Sequence, residues 1–234
     1  MSGPDNGTID ELASWPLPEP PVVSKSLERE LASLRPVSSR RPLRQFAVLS
    51  GVSLVYAGCI LAVLTTRKDI HELPTGWLVA SAIARLFGFL VPCYVALVPR
   101  PGTMTHRWQL AAIAVTVASI GFVLFGLAIH PMGPTSLEYG WERFHRGHPC
   151  LEIGLAVALV PVIVTAIFLR GAVPVGSRWI LAAAGAGGGC LGGLVLHFYC
   201  RIADGPHIGL IHGGVIAVAA LASAAIARRV TAGR

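Results

Sequence analysis

The chain has 234 residues, of which 53% are hydrophobic and 13% charged, and its formal net charge is +7. Mean hydropathy is +0.65 and the pI is near 9.6, whereas a soluble globular domain carries roughly a quarter of charged residues, so composition points to an integral membrane domain. The basic residues flank apolar blocks, where they set orientation and do not argue for nucleic-acid binding, and five cysteines without a CxxC pair exclude a disulfide scaffold and a standard zinc ribbon.

Residues 1–44 read as one unit, a largely disordered cytoplasmic tail with seven prolines and few large apolar residues. Its polar, proline-rich character does not fit a cleavable signal peptide. Thr8-Ile9-Asp10-Glu11 has the form of a capping box, opening a short helix that Pro16 ends. A second helix is predicted over 26–34. There Leu27, Leu31 and Leu34 fall at i, i+4 and i+7 beside Glu28, Arg29 and Glu30, and Pro36 stops it. So short a helix is marginal in water alone, so the stripe docks on something. A separate protein, the membrane surface and the protein's own loops are the alternatives.

Residues 45–234 read as an all-α, polytopic domain of six transmembrane helices, at 45–66, 77–98, 109–130, 151–169, 179–199 and 210–227. With the tail in the cytoplasm, thirteen lysines and arginines lie on its side and five opposite, Arg85 being inside a span. That asymmetry puts both termini in the cytoplasm, against the one contrary pair Arg67-Lys68. Seven of eight histidines (71, 130, 145, 148, 197, 207 and 212) then fall near the outer face with Cys150 and Cys200. Cys59, Cys93 and Cys190 lie within spans and read as small apolar residues.

Inside the second span, Arg85 either snorkels toward water or pairs with Glu152 just inside the fourth. Pro92 and Pro161 are expected to bend their helices where neighbours re-satisfy the backbone. The loop 131–150, with Tyr139, Trp141 and Phe144, reads as an interfacial aromatic belt. In the fifth span Gly185, Gly189 and Gly193 recur every four residues, with Gly188 and Gly192 one step along. Small residues so spaced leave a flat groove for a neighbouring backbone, from another span or, where exposed, a second protomer.

Beyond that groove lies the densest set of titratable side chains: His148 and Cys150 before the fourth span, His197 and Cys200 at the end of the fifth, and His207 and His212 around the sixth. His197 and Cys200, three apart, share a face if the helix continues. Imidazole and thiolate suit zinc, copper(I) or another soft ion, with those six residues as candidate ligands. Thiol redox chemistry at Cys150 and Cys200 and purely structural interfacial roles stay open beside it. A b-type haem between His197 and His212 is a further alternative. No enzyme is expected: Ser119 has no protease-like setting, and the CxxC of a quinone-linked thiol oxidoreductase is absent. Internal symmetry that would mark an inverted-repeat transporter is not evident, although a transporter or metal-handling protein remains the alternative class.

His148-Pro149-Cys150-Leu151, Leu169-Arg170-Gly171-Ala172 with Pro174, the glycine-rich fifth helix and its His197/Cys200 exit resemble the six-helix bacterial anti-sigma factors typified by the negative regulator of sigma F. The resemblance covers residues 24–229 and is strongest over 148–214. It implies a protein of the bacterial inner membrane whose cytoplasmic N-terminal segment holds an extracytoplasmic-function sigma factor until an outer-side signal releases it. Carried over by position, Leu27, Arg29, Leu31 and Leu34 would contact the sigma factor, and Cys150 and Cys200 would respond to the signal. The chain departs from the pattern in placing Phe198 and Tyr199 between histidine and cysteine, and its additional His207 and His212 tilt the signal toward a metal.

Overall fold

The computed structural model describes residues 41–99, 105–131, 141–169 and 177–232. The tail helices at 8–15 and 26–34, with Leu27, Arg29, Leu31 and Leu34, lie outside the described residues. Every regular element among those described is helical: α1 (Pro42–Leu64), α2 (Thr75–Leu97), α3 (Arg107–Ala128), α4 (Trp141–Leu169), α5 (Ser177–Tyr199), then a π turn (His207–His212) that runs on into α6 (Gly213–Ala232). Among the described residues, six helical stretches are long and apolar enough to cross a membrane.

Helix starts follow local chemistry. Pro42 opens α1, where a missing N–H leaves nothing unpaired. At the head of α3 the His106 N–H donates to the Gln109 side chain at 3.1 Å. Arg107 reaches back to the Val95 and Ala96 carbonyls and ties α3 to the end of α2. α4 departs most from expectation. It begins at Trp141, well before the apolar block at 151, and carries Pro149 as well as Pro161 inside it. The stretch read as an aromatic loop is therefore partly the first turns of a helix.

α5 is the central helix and packs against all five others. Of its apolar stretch 83% is buried, against 17% for α1. Glycine is what permits this. A methyl at 188 would meet the Ala158 carbonyl of α4 at 2.7 Å, and one at 189 would meet Ile216 Cα of α6 at 2.5 Å. Gly192 abuts the Gly154 carbonyl, and Gly185 abuts that of Ala219. The groove is thus filled by the protein's own helices, not left open for a second protomer. Phe89, Val157, Leu191 and Ile216 complete the core with Cys93 and Cys190, while Val55, Val63, Phe87, Val117 and Leu221 point outward, as lipid-facing residues do.

Arg85 does not pair with Glu152. It is 1% exposed, with its guanidinium against Gly193 and 5.4 Å from the centre of the Phe122 ring. Its Nε and Nη1 have no hydrogen-bond partner among the described residues. Glu152 instead meets His148 at 3.2 Å on the exposed face of α4. The other unexpected cation, Arg67, is clamped. Its guanidinium donates to Asp69 at 2.8 and 2.6 Å and to the Arg201 carbonyl at 3.2 Å, and its backbone N–H donates to the Phe198 carbonyl at 2.9 Å. The guanidinium holds the Asp69 carboxyl below its ordinary range. These contacts bring the α1–α2 and α5–α6 connections together at one end of the bundle.

Candidate cysteine–histidine centre

Three segments converge at that end. Cys150 projects from α4 and is buried. Cys200 follows the last residue of α5, its N–H donating to the Leu196 carbonyl at 2.8 Å, so the chain keeps a helical path one residue further. This turns its Sγ to 3.4 Å from that of Cys150. Asp204 then starts the next element: its Oδ1 accepts the His207 N–H at 2.8 Å, and its carbonyl accepts that of Ile208 at 3.0 Å. An aspartate cap with Pro206 in the first turn is a sequence signal for a helix start at 204, before the apolar block at 210.

The π turn explains how His207 and His212 come together. Five residues apart on an α-helix, they would point roughly 140° from each other. A π turn closes on the fifth residue, so both imidazoles face one way, with ring centres 4.9 Å apart. The Gly213 N–H bonds the Ile208 carbonyl, the five-residue link, and the Leu210 carbonyl as well. His207 Nε2 lies 3.3 Å from Cys200 Sγ. Behind it Gly147 leaves space, since a methyl there would come within 3.2 Å of the His207 ring.

Ligand atoms of Cys150, Cys200, His207 and His212 all lie within 4.8 Å of one another, and all four residues are buried. Leu196, Ile211 and Val215 wall the centre. The Cys150 thiol is the largest influence holding the Cys200 thiol below its ordinary range. His207 and His212 add to it, while burial pulls the other way. Among the described residues, His212 Nε2 is buried without a hydrogen-bond partner.

Of the six residues read as ligands, these four assemble and two do not. His148 is on the exposed side of α4 with Glu152. His197 is buried, but turned toward α2, where its Nε2 sits 3.1 Å from the Leu78 carbonyl and its ring packs 4.7 Å from that of Trp77. Trp77 in turn donates to the Ile129 carbonyl at 3.2 Å, linking α2, α3 and α5. His197 and Cys200 do not serve one site: the imidazole is taken up by α2, while the Cys200 sulfur turns to Cys150 and His207. That placement also uses His197 for packing, not as an axial ligand to a haem.

Two thiols and two imidazoles, all buried, match the four-coordinate donor set of zinc and the soft donors that favour copper(I). The same thiol pair is free and near enough to close into a disulfide, whose bond is about 2.05 Å, with a modest approach. A model of the family described as negative regulator of sigma F matches residues 31–232. Nothing matches among curated proteins or among solved structures.

Proposed function

The chain belongs to the family of negative regulators of sigma F, and from that premise we propose that it is a membrane-bound anti-sigma factor of the bacterial inner membrane. Its tail holds an extracytoplasmic-function sigma factor, contacted through Leu27, Arg29, Leu31 and Leu34. A soft or borderline cation taken up by Cys150, Cys200, His207 and His212 on the outer side is the signal that releases it. The gathering of those four ligand atoms within 4.8 Å, in a buried site, carries the reading. The excess of lysine and arginine on the tail side supports the sidedness.

The 3.4 Å between Cys150 and Cys200 sulfurs favours a second reading of the same centre, oxidation by a peroxide. Both thiols would give up a proton and an electron, the S–S bond would form, and the peroxide would leave as water or alcohol plus water. Either signal favours one packing of the bundle only through unequal affinity for two states.

The test is a full-length pull-down from membranes of the source cell, with target transcription followed in parallel. Recovery of a sigma factor supports the assignment, and Cys150→Ser or Cys200→Ser is expected to lock or deregulate the response. An unchanged response in both variants would remove the thiol signal and leave the anti-sigma role standing. Solute movement by the protein in vesicles, with no sigma factor recovered, would favour a transporter instead.

A further inference from the structure

We propose that the π turn His207–His212 is a register switch: occupancy of the four-residue centre holds it wound as π, and its rewinding to α turns α6 against α5. This rests on the centre taking a cation, as proposed above. Three observations carry it.

The spacing comes first. His207 and His212 can face one cavity only while the turn is π, because the α form separates them by roughly 140°. The second is the buried Nε2 of His212, which has no hydrogen-bond partner among the described residues. A buried nitrogen without a partner is costly, so a cation held with Cys150, Cys200 and His207 that also took up this nitrogen would stabilise the π form. The third is the surface on which the turn lies. Gly126 of α3 faces the backbone of Gly209, where a methyl would come 2.6 Å from the Gly209 nitrogen, and Gly213 rests on Val123. Gly209 and Gly213 present no side chain of their own to α3, where Leu127 and Val123 pack on them, so rewinding has no side chain to free at those two positions.

The consequence is a displacement of defined size. A π turn is an α-helix carrying one extra residue, so rewinding it rotates the two flanks by about 100° and shifts them about 1.5 Å along the axis. Beyond the turn, α6 presents Ile216, Ala219 and Ser223 to the glycines of α5, while Leu221 faces outward. One residue of rotation replaces that face with its neighbour. The rigid helix carries the change to its far end.

Deleting Leu210, which is 48% exposed and faces away from the centre, tests this. The deletion turns the π turn into an α turn with both flanks in register. It leaves His207 and His212 four apart, still on one face, so binding survives while rewinding no longer has a residue to absorb. The purified variant is expected to keep the tetrahedral Co2+ absorption of the unaltered chain, and cells carrying it are expected to lose induction of the target. Induction equal to that of the unaltered chain would overturn the switch and leave the metal centre intact. Absence of Co2+ binding by the unaltered chain would overturn both.

Should the variant not accumulate in membranes, full-length chains bearing Ala220→Cys or Leu221→Cys are labelled with a lipid-soluble maleimide, with and without Zn2+, and read by peptide mass spectrometry. Ala220 is 3% exposed and Leu221 is 70% exposed. Their relative labelling is expected to change with Zn2+, and identical labelling of metal-loaded and metal-free protein would overturn the proposal.

Discussion

His207 and His212 differ from His148 and His197 in what their ring nitrogens already hold. His197 is engaged by Leu78 and Trp77, and His148 by Glu152, whereas His212 keeps a buried nitrogen with no partner. Replacing any of Cys150, Cys200, His207 or His212 by serine or alanine is therefore expected to weaken Co2+ binding by at least about tenfold, since even groups behind metal ligands are worth 10–100-fold. His148→Ala and His197→Ala are expected to leave it nearly unchanged in the same titration. Arg85 gives a second prediction at this scale. A guanidinium stays charged, and here it is fully buried with two unpartnered nitrogens, offset in part by the Phe122 ring. Arg85→Met removes that charge at similar length and is expected to leave stability unchanged or raise it, because a buried charge without an ion partner is costly. Unfolding of the purified variant in mixed detergent checks it; a clear loss of stability would mean that Arg85 has a partner in the membrane.

The helices show what the sequence carries openly and what it hides. Five apolar blocks found their helices to within a few residues, because hydrophobic length is the signal the bilayer imposes. α4 starts before its apolar block because its first turns, from Trp141 to Pro149, are largely polar and carry no apolar signal. The glycine repeat was legible as a close-packing surface but not as the centre of the bundle, since spacing says nothing about which neighbour fills it. The centre itself was half legible. Its residue types and clustering showed, yet His207 and His212, five apart, look opposed to any reading that assumes an α period. Gly189 tests the packing. A methyl there meets Ile216 Cα at 2.5 Å, while at Gly51 and Gly58 of α1 it meets nothing within 4 Å. Gly189→Ala is expected to destabilise the protein by about 1–3 kcal/mol, the usual penalty for overpacking. Gly51→Ala and Gly58→Ala are expected to be neutral or slightly stabilising, because alanine suits a helix better than glycine. Unfolding curves of the three variants decide it.

For the whole molecule, the proposal depends on the centre and the tail being on opposite sides of the membrane, and burial governs how that is tested. Cys150 and Cys200 are 7% and 4% exposed, so a membrane-impermeant thiol reagent would miss them from either side and report nothing about topology. Lys68 is exposed in the α1–α2 connection at the same end of the bundle. Lys68→Cys is therefore expected to react with that reagent in intact spheroplasts, while a cysteine placed at Ser26 is expected to react only after lysis. Labelling in the reverse order would put the tail outside the cell, where no sigma factor could meet it. With the sidedness in hand, the contact follows from the leucine stripe. A charge at two of its three positions removes the apolar face that pays for docking. Leu27→Asp together with Leu31→Asp is expected to abolish recovery of the sigma factor and raise target transcription without inducer, while Co2+ binding at the far end stays as before. Retained recovery would move the contact off residues 26–34, and lost metal binding would show that the substitution had disturbed the bundle itself.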